Sequence, residues 1–279
     1  SNKSVLSGES YFSADDRAGK NIHFGVREFA MGAIANGIAL HGGLRPFVAK
    51  FFVFSDYLRA AGRMSALMDR SVMYVLTHDS ISVGEDGPTH EPIEHFAAFR
   101  AMPNTQMFRP ADARETAAAY IAALVFDGPT LLALSRHTPI SQEGSGMDAL
   151  KGGYVLSCDG DPEVILMASG SEVGLIAEAA AQLRADGKRV RVVSMPCTSL
   201  FDRQSVEYRE SVLPPACKAR VVVEAGSSFG WERYAGDYGE YVCIDRFGAS
   251  APSDAIFKAY GFTVENVCGK ANAAMEKVK

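Results

Sequence analysis

The chain has 279 residues, 47% hydrophobic and 22% charged, which is the composition of an ordinary globular protein with one or two domains. Its net charge of −5 gives no reason to expect nucleic acid or a membrane as a partner. No stretch reaches the roughly 18 apolar residues of a membrane helix, and the polar N-terminus does not resemble a signal peptide. Five scattered cysteines without a CxxC pair favour a reduced, cytoplasmic protein.

Short β-rich runs alternate with longer helical patterns, which predicts an α/β fold with two domains and mainly parallel sheets. We predict a first domain over residues 1–140, a polar linker over 141–153 and a smaller second domain over 154–279. The polar lead at residues 1–21 has no clear first strand, so the first domain is expected to be truncated at its N-terminus. The predicted strands are residues 45–54, 71–77, 105–108, 129–134, 163–168, 190–195, 220–224 and 241–244. The predicted helices are residues 26–40, 55–69, 112–126, 171–185 and 252–260.

Two clusters near the start of the first domain carry side chains suited to chemistry. Glu28 opens a helix rich in small residues, although a glutamate is favourable near any helix N-terminus. The small residues of this helix predict the close approach of a second helix. Phe51, Phe54 and Tyr57 follow at helical spacing, for which core packing is the usual reason.

The segment THDSISVGEDGPTH at residues 77–90 is the most informative part of the sequence. It follows a predicted strand, and open α/β sheets bind ligands at the carboxyl ends of their strands. A solvated polar loop is the alternative interpretation, while the distance in sequence between His78 and His90 does not fit a zinc site. Arg136 ends another strand and suits a phosphate or carboxylate, with a surface ion pair as the alternative.

In order and spacing these clusters resemble the transketolase family. The segments GVREF, FxxFxxY, THDSIxxGEDGPTHxP and LSR are similar to its pyrimidine-binding domain. Later segments, among them GGYV, ASGSEV and FGASAP, are similar to its C-terminal domain. The resemblance covers nearly all of the chain and implies the C-terminal half of a transketolase, without the N-terminal domain that binds the diphosphate.

The resemblance implies transfer of a two-carbon ketol unit from a ketose phosphate to an aldose phosphate in the pentose phosphate pathway, with thiamine diphosphate as cofactor. It gives Glu28 a catalytic role at the aminopyrimidine ring of the cofactor. The ring pocket would be formed by Phe51, Phe54 and Tyr57. His90 would be catalytic and would also bind the sugar. The substrate-binding residues implied by the resemblance are His78, Asp86, His90 and Arg136.

The chain departs from the family in lacking a GDG-type metal motif, so no metal ligand is assigned. A divalent cation, Mg²⁺ or Ca²⁺, is expected only through the missing N-terminal domain. We expect a homodimer or a complex with an N-terminal transketolase portion, and no activity from the chain alone. Its origin stays open between a fragment of a single-chain enzyme and the natural subunit of a split one.

Two other functions remain as alternatives. One is a different thiamine diphosphate enzyme, of the deoxyxylulose phosphate synthase or 2-oxoacid dehydrogenase beta-chain type, against which the loop at residues 77–90 and Arg136 argue. The other is a non-catalytic dimerisation module. The second domain shows no catalytic constellation, and Glu172 and Trp231 stand out in it without a geometric reason.

Overall fold

The chain folds around two sheets, one formed by each half of the sequence. The structure is a computed structural model and describes residues 4–279; the predicted start of the first domain, at residues 1–3, lies outside the described residues. Both sheets are mainly parallel and carry helices, which confirms the predicted α/β fold class. No helix among residues 4–279 combines the length and the apolar character that a membrane crossing requires.

The first sheet contains four parallel strands that are short apolar runs, as expected for strands covered on both faces. The strands are β1 Phe47–Phe51, β2 Met73–Thr77, β3 Gln106–Phe108 and β4 Thr130–Leu134. The helices of this unit are α1 Glu28–His41, α2 Ser55–Leu67, α3 His95–Arg100 and α4 Ala113–Val125. The order in the sheet is β1-β2-β4-β3, so the ends of β1, β2 and β4 lie side by side.

The strand predicted at residues 45–54 is wrong at its C-terminal end. Phe52–Phe54 form a 3-10 helix that leads directly into α2. Such tight turns are common before an α-helix, and this one directs the Phe52 ring into the core, 4.9 Å from the ring of Phe96. Phe51 therefore ends a strand, whereas Tyr57 lies on the first turn of the helix.

Helix α1 packs closely on α2, which confirms the predicted helix pair. A Cβ atom on Gly32 would lie 2.6 Å from Leu58 Cδ1 and 2.8 Å from Ala61 Cβ, so this contact requires a glycine. The amide of Asn36 donates to the carbonyl oxygen of Ala61 at 2.9 Å and accepts from the Ser65 hydroxyl at 2.5 Å. The poor helix propensity of glycine is thus offset by packing and by buried hydrogen bonds.

The second sheet has five strands in the order β5-β7-β6-β8-β9, and only β5 runs antiparallel to its neighbour. Its strands are β5 Tyr154–Cys158, β6 Val164–Ala168, β7 Val190–Ser194, β8 Arg220–Val223 and β9 Glu240–Val242. Its helices are α5 Glu172–Ala185, α6 Thr198–Asp202, α7 Val206–Val212, α8 Glu232–Ala235, α9 Ser253–Ala259 and α10 Val264–Lys277. Strand β5 and helix α10 are the longest strand and the longest helix absent from the sequence-based prediction.

Buried polar contacts join the two units on either side of the predicted linker. Asp112 caps the N-terminus of α4 and accepts a hydrogen bond from the Ser145 hydroxyl at 2.5 Å. The carboxyl group of Glu115, on the next turn, accepts from the hydroxyls of Tyr154 at 2.8 Å and Ser194 at 2.5 Å. Burial raises the pKa of Glu115, and these hydroxyls oppose the rise. The linker is therefore anchored to the first unit, and the division at residues 141–153 stays a prediction.

Candidate functional site

The site is built where three parallel strands of the first sheet end together. Phe51 is in register with Thr77, and Thr77 with Leu134, so the residues that follow β2 and β4 emerge beside the end of β1. The carboxyl edge of a parallel sheet is the usual place for a ligand in open α/β folds.

Three aromatic rings form a stacked row along this edge. The rings of Phe51 and Phe54 lie 6.2 Å apart with an interplanar angle of 13°, and those of Phe54 and Tyr57 lie 6.3 Å apart at 23°. Tyr57 is 66% exposed, which is unusual for a large aromatic side chain that belongs to the core. The spacing at helical intervals therefore produces an accessible aromatic surface, suited to a planar ligand.

Glu28 lies beside this row and already has a partner that the sequence analysis did not identify. It is the first residue of α1 and is only 6% exposed. The ammonium group of Lys50 lies 2.8 Å from its Oε1 atom, and 5.3 Å from the centre of the Phe54 ring. A lysine within the apolar strand FVAKF was the available signal, because lysine is rarely enclosed without a partner.

His78 follows β2 in a left-handed backbone conformation, with φ of 61°, and its ring stacks on Phe51 at 3.8 Å. Burial lowers the pKa of His78, and the charge of Arg136 lowers it further, while Asp86 and Asp79 act in the opposite direction. The neutral imidazole is therefore favoured. The same effects show that Arg136 and Asp86 lie within electrostatic reach of His78.

The segment after His78 carries Asp86 and His90, and Arg136 lies against it. Ile81–Asp86 form a 3-10 helix that is interrupted at Gly84, and the exposed side chain of Asp86 lies at its end. His90 points back to the aromatic row, edge-on to Phe54 at 5.2 Å. Arg136 donates to the carbonyl oxygen of Val83 at 3.2 Å, which ties the end of β4 to this segment. These contacts place His90 and Arg136 at the same edge of the first sheet as the aromatic row, and the shared role of the predicted residues stays a prediction.

A buried network of ion pairs adjoins His78 through the next residue, Asp79. Arg109, which follows β3, is fully buried; its Nε donates to Asp79 at 2.9 Å and its Nη1 to Glu172. Burial would lower the pKa of Arg109, but the charges of Glu172 and Asp79 outweigh it and raise the pKa. Because Asp79 adjoins His78, a residue of the second unit helps to hold the first unit's site in place.

A second buried cluster adjoins this network. Both oxygens of Glu224 accept from Arg100, at 2.6 and 2.7 Å, and the indole nitrogen of Trp231 donates to it at 2.6 Å. Burial raises the pKa of Glu224, but the charges of Arg100 and Arg109 and the hydrogen bonds from Arg100 and Ser169 together outweigh it and lower the pKa to about 2. Glu172 and Trp231 therefore have structural roles that the sequence did not reveal: Glu172 pairs with Arg109 of the first unit, and Trp231 holds Glu224, which pairs with Arg100 of the first unit.

One group of side chains within residues 4–279 could approach a metal ion. It consists of Asp56, Glu94 and His95, whose candidate ligand atoms lie within 4.8 Å of one another. Asp56 is already paired with the guanidinium group of Arg59 at 2.9 Å. We therefore assign no metal to this group.

Comparisons with known proteins identify relatives for both halves of the chain. Residues 1–139 match the family model of the transketolase pyrimidine-binding domain, and residues 152–263 match that of the transketolase-like C-terminal domain. The chain is 53% identical to the transketolase of Geobacillus stearothermophilus, and the match covers 99% of the chain and 42% of that protein. It is 52% identical to the Bacillus subtilis transketolase, covering 99% of the chain and 43% of the relative. The chain thus spans about two fifths of the length of the curated relatives it matches.

Solved structures agree with these matches. Transketolase from Leishmania mexicana superposes with a TM-score of 0.93 at 45% identity, covering 96% of this chain and 40% of that one. Transketolase from Campylobacter jejuni gives a TM-score of 0.88 at 40% identity, over 96% of this chain and 41% of that one. A split gene transketolase described as an inactive beta4 tetramer shares the fold, with a TM-score of 0.76 at 23% identity, over 96% of this chain and 91% of that one.

Proposed function

Because this chain belongs to the transketolase family, we propose that it forms the pyrimidine-binding and sugar-binding side of a thiamine diphosphate enzyme. The proposed reaction is transfer of a two-carbon ketol unit from a ketose phosphate to an aldose phosphate. The observation that carries the proposal is the aromatic row of Phe51, Phe54 and Tyr57, bordered by Glu28 and two histidines. The relatives reported above are named transketolase, which supports this reaction over the other thiamine diphosphate enzymes and over the dimerisation module.

The residues present fit the pyrimidine ring of thiamine diphosphate. The stacked row offers aromatic surface to a planar heterocycle, and the exposure of Tyr57 leaves that surface accessible. Glu28 is a carboxyl group at the border of the row, where it would hold a proton at a ring nitrogen. When bound, the cofactor supplies the electron sink of the reaction, whereas the protein supplies orientation and proton transfer.

The polar residues around the row fit a phosphorylated sugar. Arg136 is a fixed positive charge and can bind phosphate through two donors at once. His78, which favours its neutral form, would hydrogen-bond the substrate without adding charge. Asp86 would accept from a sugar hydroxyl, and His90, next to the aromatic row, would exchange a proton with a hydroxyl near the reacting carbons.

We propose that the diphosphate and a divalent cation, Mg²⁺ or Ca²⁺, are bound by an N-terminal transketolase portion, in a homodimer or an equivalent complex. Two observations support this. The chain matches about two fifths of its curated relatives, and α1 and α2 expose large apolar side chains. The exposed apolar residues of helices α1 and α2 include Phe29, Ile34, Leu40, Met64 and Leu67.

A cytoplasmic location stays a prediction, since the relatives include bacterial and chloroplastic proteins.

The proposal is tested in a hybrid enzyme, in which this chain replaces the matching 42% of the Geobacillus stearothermophilus relative. The hybrid enzyme is expected to transfer ketol units from ketose phosphates and to leave pyruvate unused. Use of pyruvate in place of ketose phosphates would contradict the proposal and favour the oxoacid alternative.

An Arg136→Gln variant of the hybrid enzyme is expected to raise KM for a ketose phosphate by about 10 to 10²-fold, since a charge-assisted hydrogen bond contributes about 1.5–3 kcal/mol. The same ketose without its phosphate serves as the comparison substrate, and its kcat/KM should change little. Equal losses for both substrates would show that Arg136 does not bind the phosphate. The two kcat/KM values, measured side by side, decide between these results.

The ion pair between Lys50 and Glu28 must break before the carboxyl group of Glu28 can hydrogen-bond the pyrimidine ring. A Lys50→Met variant of the hybrid enzyme is therefore expected to bind thiamine diphosphate up to about tenfold more tightly, equivalent to about 1.4 kcal/mol. Titration calorimetry measures the change, with Lys20→Met as a control because Lys20 forms an exposed pair with Glu9. Weaker binding by Lys50→Met would instead assign Lys50 to holding Glu28 in its binding position.

A further inference from the structure

The second unit contacts the predicted sugar site through one loop. We call residues 84–91 the substrate loop and residues 247–251 the docking loop. The hydroxyl of Ser250 donates to the carbonyl oxygen of Glu85 at 2.6 Å. A Cβ atom on Gly87 would lie 3.1 Å from Ser250 Cβ, and one on Gly84 would lie 3.4 Å from the carbonyl oxygen of Ala251. The two loops are therefore in close contact on both sides of Asp86.

Glu91 makes the closest of these contacts. Its side chain is only 2% exposed and lies against the backbone of Gly248, where a Cβ atom would overlap Oε2 of Glu91. The amide of Ala249 faces the carboxyl group. Within residues 4–279, neither carboxyl oxygen completes a hydrogen bond of ordinary geometry. A buried carboxyl group without full hydrogen bonding lowers the stability of the folded protein, so a functional reason for Glu91 at this position is expected.

We propose that Glu91 is a positioning residue, which docks the substrate loop onto the docking loop and thereby holds His90 and Asp86 in place for the sugar. Glu91 follows His90 directly, so the docking of its side chain restrains the backbone that carries His90. The inference rests on the proposed function and deepens it, because it makes the C-terminal domain a part of the sugar site. The proposed function itself places no residue of that domain there.

Docking depends on the protonation of Glu91. Burial raises the pKa of its carboxyl group to about 7, and the amide of Ala249 opposes the rise. The ordinary pKa is 4.5, so the docked loop loses stability as the pH rises from about 5 to about 7, and its stability is level above that window. The neutral carboxyl group fits the contact, whereas the ionised group would be buried without a countercharge.

No charged group within residues 4–279 shifts the pKa of Glu91, so the contact lacks that countercharge. Arg136, which lies against the substrate loop, donates instead to the carbonyl oxygen of Val83. The docking loop itself has no titratable side chain. Arg246, which precedes it, lies over the ring of Tyr260 at 4.3 Å. Asp245 accepts hydrogen bonds from Ser227 and Ser228. The titratable groups of the substrate loop besides Glu91 are Glu85, Asp86 and His90.

Hydrogen exchange in the 279-residue chain tests the docking without any assay of activity. Peptides that cover both loops are compared between the wild type and Glu91→Gln at equal pH, so that the intrinsic pH dependence of exchange cancels. The ratio of wild-type to variant exchange rates should rise by up to about tenfold per pH unit between about pH 5 and 7. A Glu178→Gln variant, on an exposed position of α5, should show no such rise. A constant ratio for Glu91→Gln would overturn the proposal.

Kinetics of the hybrid enzyme test the consequence for the sugar. A Gly248→Ala substitution pushes Glu91 away, and it should lower kcat/KM for the sugar phosphates by about 10 to 10²-fold, because both Asp86 and the proton-transferring His90 lose their positions. Adding Glu91→Ala removes the overlap and should recover part of the loss. Equal kcat/KM values in wild type and Gly248→Ala, or no recovery in the double variant, would overturn the proposal. A hybrid enzyme without ketol transfer refutes the proposed function but leaves the exchange result valid.

Discussion

A Glu28→Gln variant of the hybrid enzyme is expected to lose about 10²–10⁴-fold in kcat, the range typical of a lost general acid or base. Glutamine keeps the shape of the side chain but cannot release or take up the proton that the pyrimidine ring requires. Because glutamine is nearly equal in size to glutamate, the substitution preserves the packing of this buried position at the start of α1. Steady-state ketol transfer at saturating thiamine diphosphate measures the effect.

Glu178→Gln is the matched control for this experiment, since it makes the same chemical change on an exposed position of α5. Its kcat should equal that of the parent hybrid enzyme. A Glu28→Gln variant with more than about a tenth of the parent activity would rule out a proton-transfer role, because general catalysis contributes at least 10²-fold. Glu28 would then only support the aromatic row.

An Arg109→Met variant of the 279-residue chain is expected to lose about 3–5 kcal/mol of unfolding free energy. The substitution removes the guanidinium group but keeps an unbranched side chain of similar length. It leaves Asp79 and Glu172 as buried carboxylates without their shared partner. Urea denaturation at pH 7 measures the loss.

Arg189→Met is the control for this substitution. Arg189 pairs with Glu163 at 3.6 Å and is 57% exposed, and such surface pairs contribute about 0–1 kcal/mol. A loss for Arg109→Met no larger than that of the control would show that the buried network does not join the two units. The loops around His78 would then owe their position to local contacts alone.

The sequence was most informative where local pattern and local structure agree. The alternation of apolar strands and helices predicted both sheets, and the spacing of Phe51, Phe54 and Tyr57 produced the stacked row. The strand prediction failed beyond Phe51, because an aromatic run suits a strand and a 3-10 turn equally well. Pattern alone cannot separate the two when the next element is a helix.

Contacts between distant parts of the chain cannot be predicted from local sequence patterns. Arg109 and Glu172 are 63 positions apart, and the sequence around one residue does not indicate the other as its partner. The same is true of Lys50 with Glu28, and of Glu91 with Gly248. Each pair is formed only when the fold brings two elements together.

Helix α10 shows a different reason for failure. Its buried positions Val267, Ala271 and Ala274 follow helical spacing, and Thr263 caps its N-terminus by accepting from the amide of Asn266. Those signals were present in the sequence, but small residues make a weak apolar stripe. Strand β5 is absent from the prediction because it directly follows the polar linker. It also pairs antiparallel to β7, whereas the alternation of strands and helices predicts only parallel pairs.

The most direct test of the account is ketol transfer by the purified 279-residue chain, with thiamine diphosphate and Mg²⁺, measured beside the hybrid enzyme. We predict transfer from a ketose phosphate to an aldose phosphate by the hybrid enzyme and no turnover by the chain alone. That result would establish the chain as one side of a shared site. Turnover by the chain alone, or a folded hybrid enzyme that binds the cofactor without transferring ketol units, would contradict the account.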